Sequence, residues 1–369
     1  KIISRKDKVV KKLTGGVKMK LTSSGVEIVE GVATLLGEKS DKIRISCNEV
    51  EYVVKYVLVC TGSDTIIPPI KGLADVAYWT SKEALEIKEL PKSLVIIGGG
   101  VIGIEFASFF NSMGVKVTVI EMMPEILGAM DKETSAMLRK EYAKKGIDFH
   151  LNTKVTEVSP EGVTIEKDSK TSIINADRIL LSVGRKANTD KVGLSNLSVE
   201  ILRNGVRVNE YMQTSHPRVY ACGDITGYSM LAQTAIRESD VAVNHILGID
   251  DPMSYKAIPG VVYTNPEIAG IGKTEEELKA TGSYYQVLKL PMAYSGRFVA
   301  ENELGNGLCK LIIDEEAKII GCHMLGNPAS ELITIAGMAI EQELTVDDFR
   351  KVVFPHPTVS EIIHESLFA

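Results

Sequence analysis

The stretch of residues 94–121, LVIIGGGVIGIEFASFFNSMGVKVTVIE, limits what this chain can fold into more than any other. Residues 94–97 are wholly apolar, which suits a strand buried on both faces of a parallel sheet. Gly98, Gly100 and Gly103 follow as G-x-G-x-x-G, with Gly99, Val101 and Ile102 filling the pattern. Ile102, Phe106, Phe109, Phe110 and Met113 recur at helical spacing and predict the buried face of a helix that Gly114 ends. Residues 115–120 predict a second buried strand, closed by the carboxylate Glu121. In such a unit the glycines permit a tight turn, close approach of backbone to a pyrophosphate, and close packing of helix on strand. The helix N-terminus offers free N–H groups and a partial positive charge to the phosphates. Glu121 sits where an acid accepts ribose hydroxyls. A 2′-phosphate there would meet a like charge, and Met122, Met123 and Pro124 bring no arginine to offset it. The order strand, glycine loop, helix, strand, acid points to a dinucleotide, and to NAD rather than NADP. In an unliganded α/β unit the same glycines would make only a tight structural turn.

The length of 369 residues suggests two or three domains. Hydrophobic content of 44% and charged content of 24% are those of an ordinary globular protein. A formal charge of −6 argues against nucleic acid as the main partner. No apolar run reaches spanning length and no signal-peptide core is present, so no membrane segment is expected and the location expected is cytoplasmic. Cys47, Cys60, Cys222, Cys309 and Cys322 include no C-x-x-C or other close pair in sequence, so neither a zinc ribbon nor a local redox disulfide is encoded. They read as buried small hydrophobes, Cys60 and Cys222 above all, since both lie inside apolar strands. His150, His216, His245 and His323 lack metal-ligand spacing, and no metal site is expected.

Along the chain, residues 2–19 predict a basic, solvent-facing helix with no initiator Met and no cap, a start that reads as the middle of a protein. Residues 25–33 and 42–46 predict strands around a turn at 37–41, and 52–60 a third strand ending in Thr61-Gly62-Ser63. Ser81 is a plausible N-cap of a short helix. After Glu121, residues 131–145 predict a helix capped by Asp131 and stopped by Gly146. Strands are expected at 149–151, 154–158, 163–166, 178–183, 206–208 and 218–222, a helix at 230–247, and a linker at 250–252. From Tyr255, strands at 261–263, 285–290, 308–313 and 319–325 alternate with helices at 274–280 and 329–342, an α+β domain of its own.

Two further constellations carry chemistry. Residues 214–224, TSHPRVYACGD, place Gly223-Asp224 at the C-terminal edge of a strand, where α/β ligands sit. Asp224 either accepts hydrogen bonds from a sugar-like chain or caps the next turn. Near the C-terminus, His356-Pro357 is held out of a helix and Glu361 follows at its start. A carboxylate returning to the imidazole would fix its tautomer and make it a better proton acceptor. The alternative is a surface His before an N-cap Thr, and His364 looks like a surface residue.

The chain resembles the flavin-dependent pyridine-nucleotide disulfide oxidoreductases, and within them the dihydrolipoamide dehydrogenase branch. The resemblance rests on RKDKVVKKLTGG near the start, CTGS at 60–63, GGGVIGIE at 98–105, Gly184-Arg185, YACGD at 220–224, MLAQ at 230–233, YTNPEIAGIGKTE at 263–275 and HPTVSEIIHE at 356–365. It implies an α/β protein with Rossmann-like FAD- and NAD-binding domains and a C-terminal α+β dimerisation domain. The implied division is 1–82 as part of the FAD-binding domain, 83–190 for NAD, 191–252 as a second FAD-binding segment and 253–369 as the interface domain. The resemblance assigns Gly98, Gly99, Gly100, Val101, Ile102, Gly103, Glu105, Glu121, Val155 and Gly184 to NAD. It assigns Thr61, Gly62, Ser63, Asp224, Met230, Leu231, Ala232 and, more weakly, Ala33 to FAD. His356 becomes the acid–base residue, Glu361 its orienting partner, and the base serves the other subunit of a homodimer.

The implied activity is oxidation of dihydrolipoamide by NAD through FAD and a redox disulfide, with the lipoyl domain of a 2-oxoacid dehydrogenase complex as partner. Glu121 disfavours the NADPH-linked glutathione and mercuric reductases. The family pattern opens with an FAD-binding G-x-G-x-x-G and a C-x-x-x-x-C, and neither occurs in these residues. The chain alone is therefore expected to be inactive, and the alternative reading is a module that only binds NAD and dimerises. Gln233 stands where the family usually has His, Ala187 where Pro is common, and Phe354 precedes Pro355-His356.

Overall fold

The apolar run before the glycine loop becomes an inner strand of a parallel sheet. In the computed structural model, which describes residues 1–302 and 306–369, that strand is Ser93–Ile97. It pairs with Lys116–Ile120 on one side and Arg178–Leu181 on the other, and Asp148–His150 adds to the outer edge of Lys116–Ile120. Leu94, Val95, Ile96 and Ile97 are all buried, as a strand covered on both faces requires. The helix Val101–Ser112 follows, and it buries Gly103, Ile104, Ala107 and Phe110. This differs from the expected face: Ile102, Phe106 and Phe109 are only half-buried and Met113 is exposed. Both sets obey helical spacing, but small residues at 103 and 107 let the helix lie close against the sheet. Asp131 caps the helix Lys132–Lys144 as expected, its carboxylate accepting from the Thr134 N–H at 3.0 Å.

A three-stranded antiparallel sheet, Lys154–Ser159, Gly162–Lys167 and Lys170–Ile174, follows the third parallel strand's neighbour. Its last strand was not legible in the sequence, because the turn at Asp168-Ser169 takes positive φ without glycine. The C-terminal residues form a five-stranded antiparallel sheet in the order Gly260–Val262, Ile268–Gly272, Ile319–Leu325, Leu308–Ile313 and Gln286–Pro291. Leu332, Ile333, Ala336 and Ile340 of the helix Ala329–Glu341 share a core with Ile271, Leu311, Cys322 and Met324 of that sheet. These elements belong to one of two units, made of residues 67–84, 90–184 and 255–369.

Within this unit Lys310 is buried, and its Nζ lies 2.9 Å from Asp131 Oδ2, 2.7 Å from Glu133 Oε2 and 2.9 Å from Glu275 Oε1. One cation thereby ties the start of the helix Lys132–Lys144 to the C-terminal sheet and to the helix Glu275–Thr281. Thr80, not Ser81, opens the short helix Ser81–Ala84: its hydroxyl accepts from Lys82 N–H at 3.2 Å while Glu83 reaches back to Thr80 N–H at 2.7 Å.

The other unit holds residues 1–66, 85–89 and 185–254. Its helix Ile2–Ser23 has no buried residue. Residues 25–32 form no strand; the first strand is Ala33–Lys39, which runs through Gly37 with a bulge and turns at Ser40-Asp41 into Lys42–Cys47. The single strand expected at 52–60 is two. Val50–Val54 pairs antiparallel with Lys42–Cys47, whereas Val57–Val59 leaves that sheet and pairs parallel with Val219–Ala221. Residues 206–208 contribute only an isolated bridge, Val206 to Ile201, and no strand. The expected linker is anchored: Asp251 accepts from Arg237 at 2.8 and 2.5 Å and from Asn244 Nδ2 at 2.7 Å. Cys60 is exposed, against expectation, while Cys222 is buried. No described helix is long and apolar enough to cross a membrane.

Candidate active site

The residues expected from the sequence fall into three groups. In the glycine loop, Gly98 has φ +109°, and a Cβ there would collide with the Ser182 carbonyl. A Cβ on Gly103 would collide with the Gly98 carbonyl, so the loop and helix can close only with glycine at both positions. Beside Gly100, by contrast, a Cβ would meet nothing within 4 Å, which leaves open space at the N-cap of the helix Val101–Ser112. Glycine there has no side chain to accept from the first helical N–H groups, and these are the donors that a phosphate would take. Glu121 ends the strand Lys116–Ile120 and is fixed by the loop itself: Oε2 accepts from Gly99 N–H at 2.6 Å and Oε1 from Met123 N–H at 2.7 Å. Each oxygen keeps acceptor capacity for a sugar hydroxyl. The loop thus brings its glycines and Glu121 together, and both the open N-terminus and the acid fit a dinucleotide.

The remaining residues of this group are placed differently. Glu105 Oε1 accepts from Tyr263 N–H at 2.8 Å, and burial raises its carboxyl above the ordinary range against that bond. Val155 lies in the core with Ile97, Ile120 and Ile165, and its backbone is in the antiparallel ladder. Gly184 is exposed, two residues beyond Ser182. Ser182 was missed in the sequence, yet its hydroxyl donates within reach of Gly98 O at 2.9 Å and Ile97 O at 3.2 Å, holding the loop to the neighbouring strand.

The second group lies where Val57–Val59 and Val219–Ala221 end. Ser63 Oγ donates to Asp224 Oδ2 at 2.5 Å. Arg185 Nε donates to the same Ser63 Oγ at 2.7 Å, and its Nη2 to the Ser63 carbonyl at 2.5 Å. Thr61 and Gly62 are pinned by Asn188: Thr61 Oγ1 donates to Asn188 O at 2.8 Å and Asn188 N–H to Gly62 O at 2.9 Å. The buried Glu238 accepts from Gly223 N–H at 2.6 Å. Asn188 and Glu238 were not singled out in the sequence, and Arg185 stood there only in the Gly184-Arg185 pair that carries the resemblance, since only the fold brings them to these strand ends. Leu231 is the N-cap of the helix Ala232–Ile246, with Met230 before it exposed. Ala33 opens the separate three-stranded sheet, paired with Cys47, and is not joined to this group by any strand pairing. A cradle of backbone ends, a hydroxyl and a half-buried carboxylate fits part of a flavin dinucleotide's polar chain.

The third group is His356 and Glu361. His356 Nδ1 lies 2.8 Å from Glu361 Oε1, and Glu361 Oε2 accepts from Thr358 N–H at 2.8 Å. The Thr358 N–H, then the imidazole, hold the Glu361 carboxyl below the ordinary range. An ionised Glu361 assigns the Nδ1 proton and leaves Nε2 as the acceptor. The imidazole side chain is 81% exposed, so that nitrogen faces outward. His364 is half-buried, not a free surface residue: its ring lies between Phe354 and Phe368, with centroids 5.4 and 5.3 Å away.

Residues 1–239 match the pyridine nucleotide-disulphide oxidoreductase family, and residues 258–367 match the dimerisation domain of the same family. The dihydrolipoyl dehydrogenase of Geobacillus stearothermophilus is 37% identical over an alignment of 373 positions that covers 99% of this chain and 79% of that protein. The mitochondrial dihydrolipoyl dehydrogenase of Caenorhabditis elegans is 35% identical over an alignment of 381 positions that covers 100% of this chain and 76% of that protein. Among solved structures, LpdA from Mycobacterium tuberculosis is similar with a TM-score of 0.91 at 25% identity, covering 100% of this chain and 82% of that one. The HOCl-induced flavoprotein disulfide reductase RclA from Escherichia coli is similar with a TM-score of 0.88 at 26% identity, covering 99% of this chain and 85% of that one.

Proposed function

This chain belongs to the pyridine nucleotide-disulphide oxidoreductase family, and from that membership we propose that it serves the oxidation of dihydrolipoamide by NAD. Residues 1–82 and 191–252 would contribute to the FAD side, 83–190 to the NAD side and 253–369 to the interface of a homodimer. When bound, the flavin and the nicotinamide supply the two-electron chemistry that links dithiol to dinucleotide. The chain's own residues bind and position these groups. The open N-terminus at Gly100–Val101 and the carboxylate Glu121 would hold NAD, with Glu121 opposing a 2′-phosphate. Ser63 and Asp224, locked by Arg185, would hold the flavin's polar chain together with Thr61, Gly62 and residues 230–232.

One observation supports the proton-transfer step most directly: the 2.8 Å contact between His356 Nδ1 and Glu361 Oε1. With the tautomer fixed, exposed Nε2 can take a thiol proton from a dithiol presented by another molecule. A lipoyl domain of a 2-oxoacid dehydrogenase complex is the partner this reading assigns, and the base would act on the other subunit's dithiol site. The five cysteines include no C-x-x-x-x-C, so the dithiol half-reaction is tested with a disulfide-bearing segment in place.

In that protein His356→Gln should lower lipoamide-linked turnover by roughly 10²–10⁴-fold and leave NADH binding unchanged. Glu361→Gln should cost less, because an acceptor for Nδ1–H remains. Subunits carrying His356→Gln, mixed with subunits lacking the redox cysteines, should regain activity on exchange. Unchanged turnover in His356→Gln would remove the residue from the reaction, and no recovery despite proven exchange would place the base in its own subunit.

A further inference from the structure

The sulfurs of Cys60 and Cys222 lie 3.3 Å apart although 162 residues separate them in sequence. Their meeting follows from strand register. Val57–Val59 and Val219–Ala221 run parallel with Val59 opposite Ala221, and Cys222 N–H donates to Val59 O at 3.2 Å. The next residue of each strand, Cys60 and Cys222, therefore continues the pairing. Neighbouring strands lie about 4.8 Å apart, within the roughly 4.4–6.8 Å Cα separation that a disulfide spans. Cys60 is exposed and Cys222 buried, so the pair has one face open to small oxidants.

We propose that Cys60 and Cys222 are a redox-responsive pair that closes into a reversible disulfide on exposure to a hydroperoxide. The chemistry of the surroundings favours it. The hydrogen bond from Cys60 pulls the Cys222 thiol down to about 7 against the opposing effect of burial, with Ser239 assisting and the carboxylate of Glu238 opposing. The same bond, with burial and the charge of Glu238, pushes the Cys60 thiol up. The pair thus sheds its first proton near neutrality, where an unperturbed cysteine, at about 8.5, is mostly protonated. The proton passes across the 3.3 Å contact from Cys60 to Cys222, and the Cys60 thiolate, on the sulfur that meets solvent, attacks the peroxide O–O bond. Cys60 becomes a sulfenic acid, and the departing hydroxide takes the proton now on Cys222 and leaves as water. The Cys222 thiolate then attacks the Cys60 sulfur and expels hydroxide, which forms the S–S bond. In sum, one thiol, one thiolate and one hydrogen peroxide give one disulfide, one water and one hydroxide; the sulfurs lose two electrons and the peroxide gains them.

The bond would join the strand ends that carry Thr61-Gly62-Ser63 and Gly223-Asp224, clamping the cradle built on Ser63 and Asp224. It is a thiol chemistry separate from dihydrolipoamide oxidation and is tested without turnover. The 369-residue protein is treated with a small molar excess of hydrogen peroxide, denatured in N-ethylmaleimide, digested without reductant and analysed by mass spectrometry. The expected product is a Cys60 peptide joined to a Cys222 peptide, two hydrogens lighter than the separate thiols. Cys47, Cys309 and Cys322, all buried, should still be maleimide-labelled, and dithiothreitol before trapping should restore label on all five. Cys60→Ser should give no linked peptide. Full labelling of Cys60 and Cys222 after peroxide, separate oxidation of each to sulfinic acid without a link, or a link between other cysteines would each overturn the proposal.

Discussion

Replacing Lys310 with methionine keeps most of the side-chain volume and removes a cation that Asp131, Glu133 and Glu275 share. The Lys310 and Asp131 side chains are each 1% exposed, and Glu275 is 19% exposed, so solvent screens little of the loss. Burial alone would raise the Glu275 carboxyl, but Lys310 and Lys279 outweigh it and hold it at about 2 instead of 4.5. Lys279 stays beside Glu275 in the variant, so the main loss falls on Asp131, left buried without its cation, and removing one partner of a buried ion pair costs ~3–5 kcal/mol. Lys310→Met should therefore cost about 3–5 kcal/mol in urea unfolding at neutral pH and lower the thermal midpoint by roughly 6–20 °C. The pH dependence has a definite sign. A depressed carboxyl contributes stability above its unfolded value of 4.5, and that contribution fades as pH falls toward 2. The gap between parent and variant should be widest near neutrality and narrow through that window. A cost below about 1 kcal/mol at neutral pH, or a gap that widens on acidification, would show that Lys310 does not hold these carboxylates as a buried ion pair.

Two other substitutions probe the loop and the cradle. Gly103→Ala forces a methyl against the Gly98 carbonyl and, at 2.6 Å, the Ser182 hydroxyl, so NADH affinity should fall at least about tenfold by calorimetry, with about 1–3 kcal/mol lost in stability. Parent-like affinity would show that the loop tolerates a side chain. Arg185→Met leaves the carbonyl and hydroxyl of the buried Ser63 without their guanidinium partner, and urea unfolding should report a loss of about 1–3 kcal/mol. A change within about 0.5 kcal/mol, the ordinary range for surface substitutions, would contradict that role.

The sequence was most legible where structure is local. The glycine loop and the Asp131 cap are set within a few dozen residues and stand where the spacing put them, and the His356–Glu361 contact is one of the two arrangements that the spacing left open. The strand break near Lys55-Tyr56 was hidden because both halves alternate alike, and what separates them is the distant partner Val219–Ala221. The same non-local pairing kept the Cys60–Cys222 contact out of sight and left Cys60 misread as buried. Lys310 sits in the run LCKLII, where alternation alone cannot say that three carboxylates from elsewhere will meet it. On the helix Val101–Ser112, apolarity pointed to the phenylalanines at 106 and 109. The close approach to the sheet selected Gly103 and Ala107 instead.

The proposed function rests on a dinucleotide site in which Glu121 decides the cofactor. Calorimetric titration of the 369-residue protein with NADH and, separately, NADPH tests it most directly. The Glu121 carboxylate, fixed by Gly99 and Met123 N–H groups, would face the added 2′-phosphate. A like-charge contact of only about 1.4 kcal/mol is a tenfold difference in affinity. NADH should bind at least about ten times more tightly than NADPH, and Glu121→Gln should narrow that ratio. Equal affinities, tighter NADPH binding, or no binding of either nucleotide would contradict the claim.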